Sequence, residues 1–144
     1  MFIPFKKATV LVPSGPRNDP EKKHLFIVLT DPFDSGFGKK YVLLVSVSSI
    51  KNKIPYDKTC ILNPGDHSFI KRRSFIYYGR SRIEDAMELI DGVKDNKLIP
   101  CEPLEQNIFS SVCEGVYNSP QTPRGIIEFY RMTIESVSED NYFS

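Results

Sequence analysis

Between residues 8 and 80 the chain is a succession of short apolar runs, each stopped by a turn rich in proline, glycine or asparagine. That punctuation limits the fold more than any other feature, because proline lacks an N–H and each run is too short for a helix. Ala8 to Val12 is small and β-branched, and Pro13-Ser14-Gly15-Pro16 closes it. Leu25 to Leu29 is apolar throughout, with charge before it and Asp31-Pro32 after, the pattern of a central strand covered on both faces. Tyr41 to Val47 follows a Gly36–Gly38 turn and alternates with serine at its end, where Ser48 and Ser49 form the exit. Thr59 to Leu62 stops at Asn63-Pro64-Gly65-Asp66, and Ser74 to Tyr78 is an aromatic strand. These five runs predict antiparallel strands in a small barrel or sandwich.

After Gly79 the period changes. Ile83, Met87 and Ile90 recur at helical spacing and predict a helix over 82–91, with an opening strand as the alternative. Leu104, Ile108 and Val112 repeat every four residues, and Phe109 and Val116 widen the stripe, so a helix runs from Pro103 until Gly115 and Asn118 end it. Thr122-Pro123 reads as an N-cap followed by proline at the first helical position, opening a last helix through Ile126, Ile127, Phe129 and Tyr130. The expected class is α+β, mainly β. One domain covers 1–144, with a β-barrel core over 8–80, a mainly helical region over 81–134 and a flexible polar tail over 135–144.

A chain of 144 residues can bury an adequate core without disulfides or metals. Its net charge of +1 means that attraction to nucleic acid would come from local clusters. Three such clusters exist: Lys22-Lys23-His24, Lys51-Asn52-Lys53, and Lys71-Arg72-Arg73 followed by Arg80 and Arg82. Cys60, Cys101 and Cys113 are odd in number and dispersed, which suits unpaired thiols in a reducing, cytoplasmic compartment. The N-terminus has no apolar leader, and no stretch approaches a membrane span. A phosphate-cradling loop, paired histidines at metal spacing, a nucleophile elbow and Cys-x-x-Cys are all missing, so no cofactor and no metal is expected.

The stretch Asn63 to Ser74 carries the most chemistry, placing Asp66 and His67 on a tight turn beside Lys71, Arg72 and Arg73. Imidazole exchanges a proton near neutral pH, and cations stabilise the added negative charge of a phosphorane. The same residues also suit a self-contained turn, in which Asp66 caps its own backbone and His67 packs on Phe69. His24 offers a second imidazole, preceded by Lys22 and Lys23. Metal-free RNA cleavage needs a base, an acid and a cation, which two histidines and a Lys or Arg would supply.

The order of strands and the phrases Leu25–Leu29, Leu44–Ile50 and Ser74–Asp85 resemble the MazF/PemK family of toxin endoribonucleases over roughly Ala8 to Asp91. The resemblance implies a small SH3-like antiparallel barrel with C-terminal helices. It also implies a toxin of a toxin–antitoxin system that cuts single-stranded RNA without metal, forms a homodimer and is held by a cognate antitoxin. The family's arginine at the start of the second strand meets Lys23 or His24 here, and its threonine meets Ser48 or Ser49. Charge survives but the bidentate fork does not, and Arg17 in the preceding loop is the nearest replacement. The candidate catalytic set is Arg17 and Ser48 or Ser49 at the family-like positions, with His24 and His67, the latter on a turn without a counterpart in the family motifs, as proton carriers and Lys23, Lys71, Arg72 and Arg73 as phosphate contacts. The alternative is a catalytically silent SH3-like module that binds nucleic acid or a protein partner in a regulatory or defence complex.

Overall fold

A computed structural model describes residues 1–143, with side chains described through residue 136. Seven strands form one antiparallel sheet: β1 (Thr9–Pro13), β2 (Lys23–Val28), β3 (Phe33–Asp34), β4 (Lys40–Ser49), β5 (Ile61–Leu62), β6 (Ser74–Asp85) and β7 (Ile99–Cys101). Three helices follow in the C-terminal part: α1 (Ala86–Lys94), α2 (Gln106–Asn118) and α3 (Arg124–Phe143). The tail expected over 135–144 falls, from residue 137, outside the described side chains. No helix among the described residues is long and apolar enough to cross a membrane.

The strand order β5-β6-β4-β2-β1-β7, with β3 paired to β4, gives a curled half-barrel. The sheet stops at β5 and β7, so the expected barrel curls without closing. β2 and β4 lie side by side at its centre, with Leu25 opposite Val47 and Ile27 opposite Val45, which accounts for their unbroken apolar runs. Because side chains alternate along a strand, Leu25, Ile27, Leu43, Val45 and Ile76 point to one face and pack under α2 and α3. Phe26, Val28, Val42 and Leu44 point to the other face, where Ala86 and Leu89 of α1 cover them.

The segment 82–91 divides between strand and helix. Ile83 belongs to β6, and the helix starts only at Ala86, where the Asp85 carboxylate accepts from Met87 N at 2.8 Å. Against β4, β6 jumps from Arg82 opposite Leu44 to Tyr77 opposite Ser46, so the residues between form a large bulge. Tyr78, inside that bulge, is fully buried and donates its hydroxyl to the Val112 carbonyl of α2 at 2.6 Å. β7 escapes the sequence pattern because it is three residues long with Pro100 in the middle, and proline is tolerated there only because β7 is an edge. β5 is also shorter than the expected Thr59–Leu62. Thr122 Oγ1, the expected cap of the last helix, is buried without a hydrogen-bond partner; the first α3 turn is held instead by Ile126 N and Ile127 N donating to the Pro123 carbonyl.

Candidate functional site

α1 covers only half of its face of the sheet. Extending the Leu25–Val47 pair by one residue brings His24 level with Ser48, and Ser48 is opposite Phe75; in the next row Phe26 meets Ser46 and Ser46 meets Tyr77. His24, Ser48, Phe75 and Tyr77 thus share the uncovered half of this face. The loop 50–58 and the turn 63–72 rise beside them, and together they enclose an open cleft of about 540 Å³.

Six cations line this cleft: Lys22, Lys23, Lys51, Lys71, Arg72 and Arg80. No carboxylate is among the described residues lining it. Its wall is an aromatic row in which the Tyr56 and Phe75 ring centroids are 5.5 Å apart and those of Phe75 and Tyr77 are 5.4 Å apart. The Arg80 guanidinium lies over Tyr77 at 4.8 Å, a cation–π contact that holds the charge at the end of the row.

Ser14 Oγ sits 2.8 Å from His24 Nδ1. Burial, followed by repulsion from Lys22, Arg80, Lys51 and Arg82, pushes the imidazole below its ordinary pKa of 6.5. His24 is therefore a neutral imidazole at pH 7 in a cationic surround. The hairpin that carries Ser14 closes through Ser14 N donating to the Lys22 carbonyl at 2.9 Å. A side chain at Gly15 would collide with the Asp19 carbonyl and Lys22, so glycine is required for this closure.

The cleft gathers Lys23, His24, Ser48, Ser49, Lys71 and Arg72. Arg17 is exposed at the tip of the 14–22 hairpin and Arg73 is exposed beside the cleft; neither lines it. His67 lies elsewhere and is 5 % exposed. Phe69 N donates to its Nδ1 at 3.1 Å, which puts the ring hydrogen on Nε2, where it faces the Glu102 carbonyl at 2.9 Å and Thr9 Oγ1 at 3.1 Å. Ser68 N donates to the Glu102 carboxylate at 2.9 Å, and hydrogen bonding from Ser68 holds that carboxyl down at about 2. Asp66 accepts from Asn63 N at 2.7 Å and so caps its own turn. In this arrangement His67 clamps the turn to β1 and to the segment after β7.

Sequence reasoning passed over Ser14 and Tyr56, and reached Lys22, Lys51 and Arg80 only as members of basic clusters. Phe75 and Tyr77 carried a usable signal, since two aromatics at period two mark one face of a strand. No family model, curated protein or solved structure matches the chain.

Proposed function

We propose that the chain binds single-stranded RNA along the uncovered half of its sheet. The observation that carries this reading is the coincidence, in one cleft, of six cations and an aromatic row, with no carboxylate among the described lining residues. Bases stack on aromatic rings with little sequence preference, while Lys and Arg follow the phosphates. A duplex hides its base faces and suits such a wall poorly. The half-barrel is compatible with an SH3-like scaffold of the toxin endoribonuclease kind.

A second reading adds cleavage, favoured by the neutral His24 in the cleft. His24 Nε2 takes the 2′-hydroxyl proton and that oxygen attacks phosphorus. The bond to the 5′-oxygen breaks, and this oxygen takes a proton from a cleft ammonium or water. The products are a 2′,3′-cyclic phosphate and a 5′-hydroxyl, with the surrounding cations stabilising the phosphorane. In a toxin–antitoxin pair, an acidic antitoxin segment in the same cleft would compete with RNA.

Fluorescence anisotropy with labelled oligonucleotides of RNA, DNA and duplex tests the reading. Single strands should bind with log K falling against log salt by about 0.7 for each phosphate contacted. Arg80→Gln should weaken binding about tenfold and reduce that slope by about 0.7. Equal affinity for duplex and single strand, or binding only to acidic peptides, would overturn it.

A further inference from the structure

The loop 50–58 forms a second depression of about 480 Å³ on the far side of Tyr56, lined by Lys51, Asn52, Lys53 and Lys58. Lys51, Ile54, Pro55 and Tyr56 line both depressions, so the two are continuous across one aromatic ridge. Lys58 Nζ lies 5.8 Å from the Tyr56 ring centroid at one end of this ridge, as Arg80 lies over Tyr77 at the other end. A ladder thus runs Arg80, Tyr77, Phe75, Tyr56, Lys58, with a cation at each end and three rings between.

A run of lysines on a loop is ordinarily a solvated face, but this loop is fixed at both ends. Ile50 N donates to the Arg73 carbonyl at 3.0 Å, and Ile54 N to the Lys51 carbonyl at 3.3 Å. At the far end Asp57 is buried and accepts from Ser119 Oγ at 2.5 Å, from Thr59 Oγ1 at 2.6 Å and from Thr59 N at 2.9 Å. These bonds turn the only carboxylate of the loop away from the depression and toward the end of α2. Lys53 is held in the left-handed backbone region at φ 65°.

We propose that the second depression is a continuation site: a single strand leaving the cleft passes over Tyr56, and Lys53 and Lys58 contact the phosphates of its flanking nucleotides. This rests on the single-strand reading above and extends it. The consequence is a length requirement. A short oligonucleotide fills the first cleft alone, and affinity rises again once the strand reaches past Tyr56.

The test measures Kd for oligouridylates from about two to about twelve nucleotides with the wild-type chain and with Lys53→Asn/Lys58→Gln. Asparagine keeps the left-handed backbone accessible, so the loop is retained. The double variant should match wild type on the shortest oligonucleotides that bind. On the longest it should be about tenfold weaker, with a salt slope lower by about 1.4. If wild type binds and the double variant gains as much from length, the continuation site is overturned while the cleft stands. If wild type binds no oligonucleotide, both readings fall.

Discussion

Ser14 Oγ and His24 Nδ1 lie 2.8 Å apart, and the same hydroxyl reaches the Val12 carbonyl at 3.2 Å. When the serine proton goes to Val12, its oxygen accepts from Nδ1–H and the imidazole lone pair stands on Nε2. A base needs that tautomer. If His24 takes the 2′-hydroxyl proton, His24→Gln should lower cleavage about a hundredfold or more while leaving RNA affinity within about threefold. Ser14→Ala should cost about tenfold in rate, since the ring loses its orientation but keeps its chemistry. Single-turnover kinetics on a labelled RNA separates the two effects, and equal cleavage by His24→Gln would exclude the base role.

The same imidazole links binding to pH with a definite sign. Its pKa in the free protein is below 6.5 through burial and the facing Lys22, Arg80, Lys51 and Arg82. A bound phosphate offsets that repulsion and raises the pKa, so binding takes up a proton and affinity should increase as pH falls through the raised pKa. Cleavage has the opposite dependence, because the protonated ring is no base. Stability also declines toward acid, since the unfolded chain, with the ordinary pKa, binds the proton first. Titrating affinity between about pH 5 and 8 in wild type and His24→Gln checks this. The variant should lose the rise, and a rise of equal size in both would assign it to other groups.

Much of the sheet was legible because its central strands, β2 and β4, are buried on both faces and bounded by Asp31-Pro32 and by serine. What escaped was set by long-range packing. Pro100 argues against a strand locally, yet it pairs with Val10 at an edge. Ile83 has helical spacing with Met87, but the register with Leu43 holds it in β6. Half of the cleft followed from charge and imidazole chemistry, as Lys23, His24, Lys71 and Arg72 do converge there. Its aromatic wall did not, because the alignment of His24, Ser48 and Phe75 is a property of strand register, and no local pattern encodes register between residues so far apart.

The bulge in β6 makes a stability prediction. Tyr78 enters the core through the space left by Gly115 on α2, and a Cβ at Gly115 would collide with the tyrosine hydroxyl. Gly115→Ala should therefore cost about 2–4 kcal/mol, although alanine is the better helix former by about 1 kcal/mol. Tyr78→Phe should cost about 1 kcal/mol by removing the hydroxyl's bond to the Val112 carbonyl, which lies within α2 and keeps its helical partner. The double variant should be less destabilised than the two single costs together, by about 1 kcal/mol, because the hydroxyl is removed from the collision. Urea denaturation of the three variants gives these values, and strict additivity would contradict the packing described.

His67 and His24 should respond to substitution in opposite ways. His67 is buried, accepts from Phe69 N and meets both the Glu102 carbonyl and Thr9, so it ties the 63–70 turn to β1 and to the segment after β7. His67→Ala takes the acceptor from Phe69 N and leaves a gap where a buried ring stood, while Thr9 Oγ1 still donates to the Glu102 carbonyl at 2.7 Å; it should cost about 2–3 kcal/mol. His67→Gln retains part of the hydrogen bonding and should cost less. Measured where each variant is folded, both should bind RNA within about twofold of wild type, since the ring does not line the cleft. His24→Gln should change stability by under about 1 kcal/mol and remove the pH dependence of binding. Thermal denaturation paired with anisotropy distinguishes the two histidines. A His67→Gln variant that melts like wild type but has lost cleavage would transfer the proton-carrying role to His67 and require the turn to open onto the cleft.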